Sequence, residues 1–187
     1  MSSSLIKYNH IRGYMPKYIS WIPTQPEYID TFFELCPISS SDVVYDLGSG
    51  DGRLLFAAAE KGAAKCVGVD IDPDLIKTAR ETAKYLGIES RVTFMEADVM
   101  AVDLSQASVI LCYLLSAASA DLKPKFEKEL KRGTRVVMES FPIMNWKPVK
   151  VIDNNGRIFY FYTMPPEETE DYRTIVGTPI DDELYDV

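Results

Sequence analysis

At 187 residues the chain has room for one α/β domain with a full core and none for a second. Its net charge of −8 argues against general nucleic-acid binding, which draws on clustered Lys and Arg. The three cysteines, Cys36, Cys66 and Cys112, stand far apart, two of them in apolar strand-like runs, which favours buried free thiols over a disulfide frame or metal site.

The first 25 residues carry Lys7, Arg12 and Lys17 with no acid and hold His10, the only histidine, which reads as a surface residue. They lack the apolar core of a signal peptide. The longest nearly apolar stretch, 107–120, is short against the ~20 residues a bilayer span needs. A soluble, cytoplasmic protein without membrane insertion is expected, with its oligomeric state open. The aromatic and proline-rich run ending in Trp21, Ile22, Pro23 and Thr24 precedes the first helix. Trp21, Pro23 and Thr24 are expected to form a lid over whatever the following loop binds. Tyr28, Ile29, Phe32 and Phe33 repeat at helical spacing and predict a short amphipathic helix that Pro37 stops.

Next comes Val43-Val44-Tyr45-Asp46-Leu47-Gly48-Ser49-Gly50-Asp51-Gly52-Arg53. The apolar triplet before Asp46 suits a buried strand, the glycines allow sharp turns and close backbone approach, and 54–60 reads as helix. A second strand, 66–70, ends at Asp70. Dinucleotide fingerprints read G-x-G-x-x-G and place a pyrophosphate at the helix N-terminus. Here the pattern is Asp-x-Gly-x-Gly-x-Gly, whose leading acid repels a pyrophosphate but pairs with an ammonium. That chemistry points to S-adenosyl-L-methionine, which has a methionine tail and no phosphate. Asp46, Gly48, Ser49, Gly50 and Gly52 are the expected cofactor loop. Asp70, followed by Ile71, is expected to accept hydrogen bonds from both ribose hydroxyls.

Pro73 suits the first turn of a helix in which Leu75, Ile76, Ala79, Ala83 and Leu86 form one stripe ended by Gly87. A third strand spans 92–95. Asp98, followed by Val99, lies beyond it and either receives an adenine amino group or caps a helix. A fourth strand, 107–113, ends at Tyr113. Leu122, Phe126 and Leu130 then align on a helix before Gly133, and 134–138 makes the fifth strand. Two further runs, 149–152 and 158–163, joined by Asp153-Asn154-Asn155-Gly156, predict a hairpin. The fold class is therefore α/β: a Rossmann-like, seven-stranded, mostly parallel sheet with a C-terminal β-hairpin and helices on both faces, its crevice at the carboxyl strand ends. From 165 to 187 eight acids face Arg173 alone. The expected division is leader 1–25, cofactor domain 26–164 and acidic tail 165–187.

The segment from about Trp21 to Thr163 resembles the seven-strand protein-lysine methyltransferases of archaea and their mitochondrial relatives acting on the ATP synthase c-ring and the adenine nucleotide translocase. The resemblance lies in Asp42 to Arg53, in Asp103-Leu104-Ser105-Gln106-Ala107-Ser108-Val109, in Leu122-Lys123-Pro124-Lys125, in Glu129 to Val137, and in Trp146 and Pro148. Two segments depart from the family pattern. Ile22-Pro23-Thr24-Gln25-Pro26 stands where the family has Val-Pro-Thr-Pro, and Met138-Glu139-Ser140-Phe141 where relatives commonly carry Ser-His-Glu-Phe. The resemblance implies methyl transfer to an accessible lysine of a protein substrate. Displacement at a sulfonium rests mainly on positioning, which supplies roughly 7–11 kcal/mol, so no dedicated catalytic group is obligatory. Tyr113, to orient the amine, and Glu139, to hold or deprotonate it, are the catalytic candidates. A small-molecule methyltransferase and a non-catalytic binding module stay open as alternatives.

Overall fold

The computed structural model describes residues 22–114 and 116–170. Helix α1 (Pro26–Leu35) opens on a proline, whose missing N–H no helical carbonyl would have received. It buries Ile29, Phe32, Phe33 and Leu35. Strands and helices then alternate as β1 (Val43–Leu47), α2 (Arg53–Glu60), β2 (Lys65–Asp70), α3 (Pro73–Tyr85), β3 (Val92–Glu96), β4 (Val109–Cys112), α4 (Ser116–Glu129) and β5 (Arg135–Glu139). The chain continues through β6 (Trp146–Lys147), β7 (Lys150–Asn154), β8 (Arg157–Thr163) and β9 (Glu167–Glu168).

Seven strands form one sheet in the order β3-β2-β1-β4-β5-β8-β7. β1 to β5 run parallel, β8 pairs antiparallel with β5, and β7 antiparallel with β8. The order reverses between β1 and β4, which opens a crevice above their carboxyl ends. Alternate residues feed two cores. Val44, Cys66, Leu111 and Val137 pack with Phe32, Leu55 and Ile76 of α1, α2 and α3. Tyr45, Val67, Ile110 and Met138 pack with Leu122 and Phe126 of α4 and with Trp146. Helices therefore cover both faces, as the sequence pattern requires.

The hairpin is tighter than expected. Asp153 and Asn154 lie within β7, paired with Ile158 and Arg157, and Asn155 and Gly156 alone make the turn at φ +54° and +85°. Two consecutive positive φ angles match the twist of the flanking strands and favour Asn-Gly. This register makes Arg157 the first residue of β8. Ordered pairing also continues beyond residue 165, since β9 joins β6 through Trp146↔Glu168 and Lys147↔Glu167. The rest of the acidic tail, 171–187, and the leader with His10 and Trp21 lie outside the described residues.

Several segments that carry the family resemblance meet in space. At the start of β1, Asp42 Oδ1 receives Ser108 Oγ at 2.8 Å and the Arg135 guanidinium. Burial pushes the Asp42 carboxyl up, but Arg135 and the donors of Ser39 and Ser108 outweigh it and hold the pKa at about 2. Under the sheet, Glu129 receives Lys125 Nζ at 2.8 Å and the Leu104 N–H at 3.0 Å. The first group ties the starts of β1, β4 and β5 together, and the second ties α4 to the segment before β4. No helix among the described residues is long and apolar enough to cross a membrane.

Candidate active site

A cleft of about 550 Å³ opens at the carboxyl ends of the parallel strands. Its floor is the loop after β1. The N–H groups of Gly48 and Ser49 both donate to Val69 O, at 2.8 and 3.0 Å, folding the loop back onto β2. Gly48 sits at φ +80°, and a Cβ there would lie 2.5 Å from Leu114 Cδ2. Only glycine fits such a cradle. Gly52, at φ +84°, turns the chain into α2.

Asp70 ends β2 with both carboxylate oxygens engaged by backbone: Gly50 N–H donates to Oδ2 at 2.8 Å and Asp72 N–H to Oδ1 at 3.0 Å. Each oxygen keeps a lone pair for a ligand hydroxyl, so the side chain both shapes the loop and faces the cleft. Beside it Ile71 is 68% exposed, an apolar wall left open among the described residues. Asp98 caps the short turn Val99–Ala101 through Oδ1, which accepts the Met100 N–H at 2.9 Å. The capping expectation for Asp98 is thus met at one oxygen, while Asp98 and Val99 both line the cleft as the cofactor reading requires.

Asp46 lies at the bottom, 2% exposed. Burial pushes its carboxyl well above the usual range, and the charges of Asp70, Asp51 and Glu139 push it further. A site with this much negative field is built for a cation. Ser49 Oγ also lines the cleft, buried and without a hydrogen-bond partner among the described residues, an orphaned polar atom of the kind a bound group satisfies. Asp51, which the sequence reading left without a role, forms a two-pronged pair with Arg53 at 2.6 and 2.9 Å. Arg53 Nη1 in turn donates to Thr24 O at 2.9 Å. That clamp holds Pro23 and Thr24 against the cleft, where both were expected. Trp21, the third expected lid residue, lies outside the described residues.

Tyr113, Leu114, Ser140 and Phe141 line the far end. Tyr113 follows β4 and faces the cleft as anticipated. Glu139 sits one layer behind, 1% exposed, with Thr24 Oγ1 donating to Oε2 at 3.1 Å and Arg157 Nη1 at 3.2 Å from Oε1. Burial raises its carboxyl to about 7 against the opposing pull of Arg157 and Thr24. Sequence reasoning did not find Arg157, because the register that delivers it is set by a turn far along the chain from Tyr113, the residue it bonds 44 positions away.

This sheet order, loop and strand-end acids define an S-adenosylmethionine-dependent methyltransferase of the seven-strand class. Asp46 and the glycine loop fit the cationic methionyl end, Asp70 the ribose, and Ile71, Asp98 and Val99 the adenine. The chain belongs to the ANTKMT methyltransferase domain family, whose model matches residues 46–150. It is 37% identical over 157 residues to a protein-lysine N-methyltransferase of Saccharolobus islandicus (strain REY15A), an alignment covering 81% of this chain and 97% of that protein. It is 35% identical over 107 residues to the adenine nucleotide translocase lysine N-methyltransferase of Mus musculus, covering 57% of this chain and 47% of that protein. The chain thus spans about half the length of that mouse relative. Among solved structures, an RNA methyltransferase from Salinibacter ruber in complex with S-adenosyl-L-homocysteine superposes with a TM-score of 0.76 at 40% identity, over 81% of this chain and 99% of that one.

Proposed function

We propose that the protein transfers methyl groups from S-adenosylmethionine to lysine side chains of protein substrates. The observation that carries this reading is the charge of the cleft. Among the described residues five aspartates line it, Asp46, Asp51, Asp70, Asp72 and Asp98, against one arginine, Arg53, which is bound to Asp51. Asp46, Asp70 and Asp98 are the acids fitted to the cofactor, and the field they share with the rest of the cleft draws a cationic side chain toward its open end and repels a phosphate chain. The archaeal relative named for protein-lysine methylation, 97% of which this chain covers, supports the same acceptor.

When bound, S-adenosylmethionine supplies an electrophilic methyl group on its sulfonium. The chain's own part is to hold the acceptor in line and to strip water from it. Pro23 and Thr24 narrow the cleft on one side, while Tyr113 and Phe141 form apolar surface around the far end. A lysine entering that apolar end loses hydration, which disfavours its ammonium form and leaves the neutral amine that attacks. Tyr113 presents a phenol oxygen able to receive an N–H of that amine. Glu139 lies behind the cleft wall, held by Thr24 and Arg157. A cytoplasmic location accords with three buried free thiols.

A second reading, an RNA acceptor, rests on the Salinibacter ruber structure described as an RNA methyltransferase. Tritiated S-adenosylmethionine incubated with an extract of the source organism separates them. Label that protease releases as methyllysine carries the lysine reading, and label lost to ribonuclease replaces it with RNA.

A further inference from the structure

We propose that Arg157 is a positioning residue for methyl transfer, fixing the Tyr113 phenol at the acceptor end of the cleft. Arg157 Nη1 donates to the Tyr113 hydroxyl oxygen at 2.6 Å. Its guanidinium carbon also lies 5.2 Å from the ring centroids of both Tyr28 and Tyr113, a cation between two aromatic rings.

A guanidinium has donors and no acceptor, so the Tyr113 hydrogen cannot point back along this bond. With one oxygen lone pair occupied by Arg157, the second lone pair and the O–H are what Tyr113 has left to offer. For an amine acceptor this matters. The nitrogen lone pair must stay free to attack, so the amine has to be held through its N–H groups, and the second phenol lone pair is an acceptor for one of them. This role rests on the lysine reading above.

Arg157 is itself held from several sides. Glu139 Oε1 lies 3.2 Å from Nη1 in a buried ion pair, and Ser140 Oγ, on the cleft wall, is 3.4 Å away. Its cross-strand partner Asn154 donates to Thr31 Oγ1 of α1 at 3.0 Å. The two-residue turn between them fixes the register. A residue that served only as counter-ion to Glu139 would not need the 2.6 Å bond to Tyr113.

The test is a double-mutant cycle on the full chain, with Arg157→Gln, Tyr113→Phe and both. The readout is the initial rate of label transfer from saturating tritiated S-adenosylmethionine into an extract of the source organism. Each single change is expected to slow transfer by about tenfold or more, while S-adenosylmethionine affinity by calorimetry stays within about twofold. The double variant should be no slower than the slower single, because both remove one device. Losses that multiply in the double variant, or an Arg157→Gln rate within about twofold of the parent, overturn the proposal. Should Arg157→Gln not fold, Arg157→Met combined with Glu139→Gln removes the donor and the charge it faces together, and a rate within about twofold of Glu139→Gln alone overturns it equally. Label on methyllysine with multiplying losses removes the role of Arg157 alone. Label on RNA with non-multiplying losses removes the lysine reading and leaves Arg157 acting through Tyr113.

Discussion

Thr24 Oγ1 donates to Glu139 Oε2 over 3.1 Å, joining the segment ahead of α1 to the end of β5 across 115 residues of sequence. The bond puts a residue of the cleft wall and a buried acid in one unit. Burial raises the Glu139 carboxyl from 4.5 to about 7, despite Arg157 and Thr24. An acid whose folded pKa lies above its unfolded value keeps a proton that the unfolded chain has released. Its contribution to stability is present at low pH and is lost as pH rises from about 4.5 through about 7. Glu139→Gln removes this dependence. Urea unfolding of parent and variant across that window should shift their stability difference toward the variant by roughly 3 kcal/mol. A difference that stays constant with pH would show that Glu139 titrates as an ordinary acid.

Asp70 holds the Gly50 and Asp72 N–H groups and lines the cleft. Charge-assisted hydrogen bonds of this kind contribute about 1.5–3 kcal/mol each. Asp70→Ala should weaken S-adenosylmethionine binding by about tenfold or more with the sheet intact. Calorimetry giving the parent affinity would contradict the assignment of this acid to the ribose.

Gly68, in the middle of β2, has ordinary backbone angles but no room. A Cβ there would lie 2.5 Å from Phe94 Cδ1 and 2.7 Å from Ser49 Oγ. Overpacking of this degree costs about 1–3 kcal/mol. Gly68→Ala should lower the melting temperature, and Phe94→Leu in the same chain should recover part of the loss by opening the ring's space. A melting temperature equal to the parent's would mean that Phe94 moves freely.

A lysine acceptor has an unperturbed pKa of about 10.4 and must react as the neutral amine. The logarithm of kcat/KM at saturating S-adenosylmethionine is therefore expected to rise with a slope near one from about pH 6.5 and to bend above about pH 8.5. Glu139→Gln should keep that slope, since the carboxyl lies behind Tyr113 and off the cleft wall. A rise that disappears in the variant would make Glu139 the base.

The β-α order, the glycine loop and the strand-end acids were all legible in the sequence, because each depends on local signals. Apolar runs of four to six residues, glycines at turns and Pro73 after Asp72 fix element type without reference to the rest of the chain. The hairpin was legible as a hairpin, but its register was not. Asp153 and Asn154 look like turn residues, and they are drawn into β7 because Asn154 finds Thr31 on α1. The acceptor end was the least legible part. Tyr113 follows β4 while Glu139 ends β5 and Arg157 begins β8, and their meeting depends on β8 inserting beside β5 in reverse. The pairing of Trp146 and Lys147 with β9 was likewise invisible, since two-residue strands leave no periodic trace.

The span that the family model recognises, 46–150, and the span that can stand alone are different things. Excised at those limits, the chain would lose α1 and β8 together. Phe32 and Phe159, whose rings meet edge to face at 5.3 Å, would both be gone. β5 would present a bare, apolar edge of the kind that nucleates aggregation. Glu139 would keep its place in β5 with neither Thr24 nor Arg157 to face it. The family model marks the middle of the chain, whereas the likeness to the Saccharolobus islandicus protein runs over 157 residues and so takes in flanking segments that close the sheet.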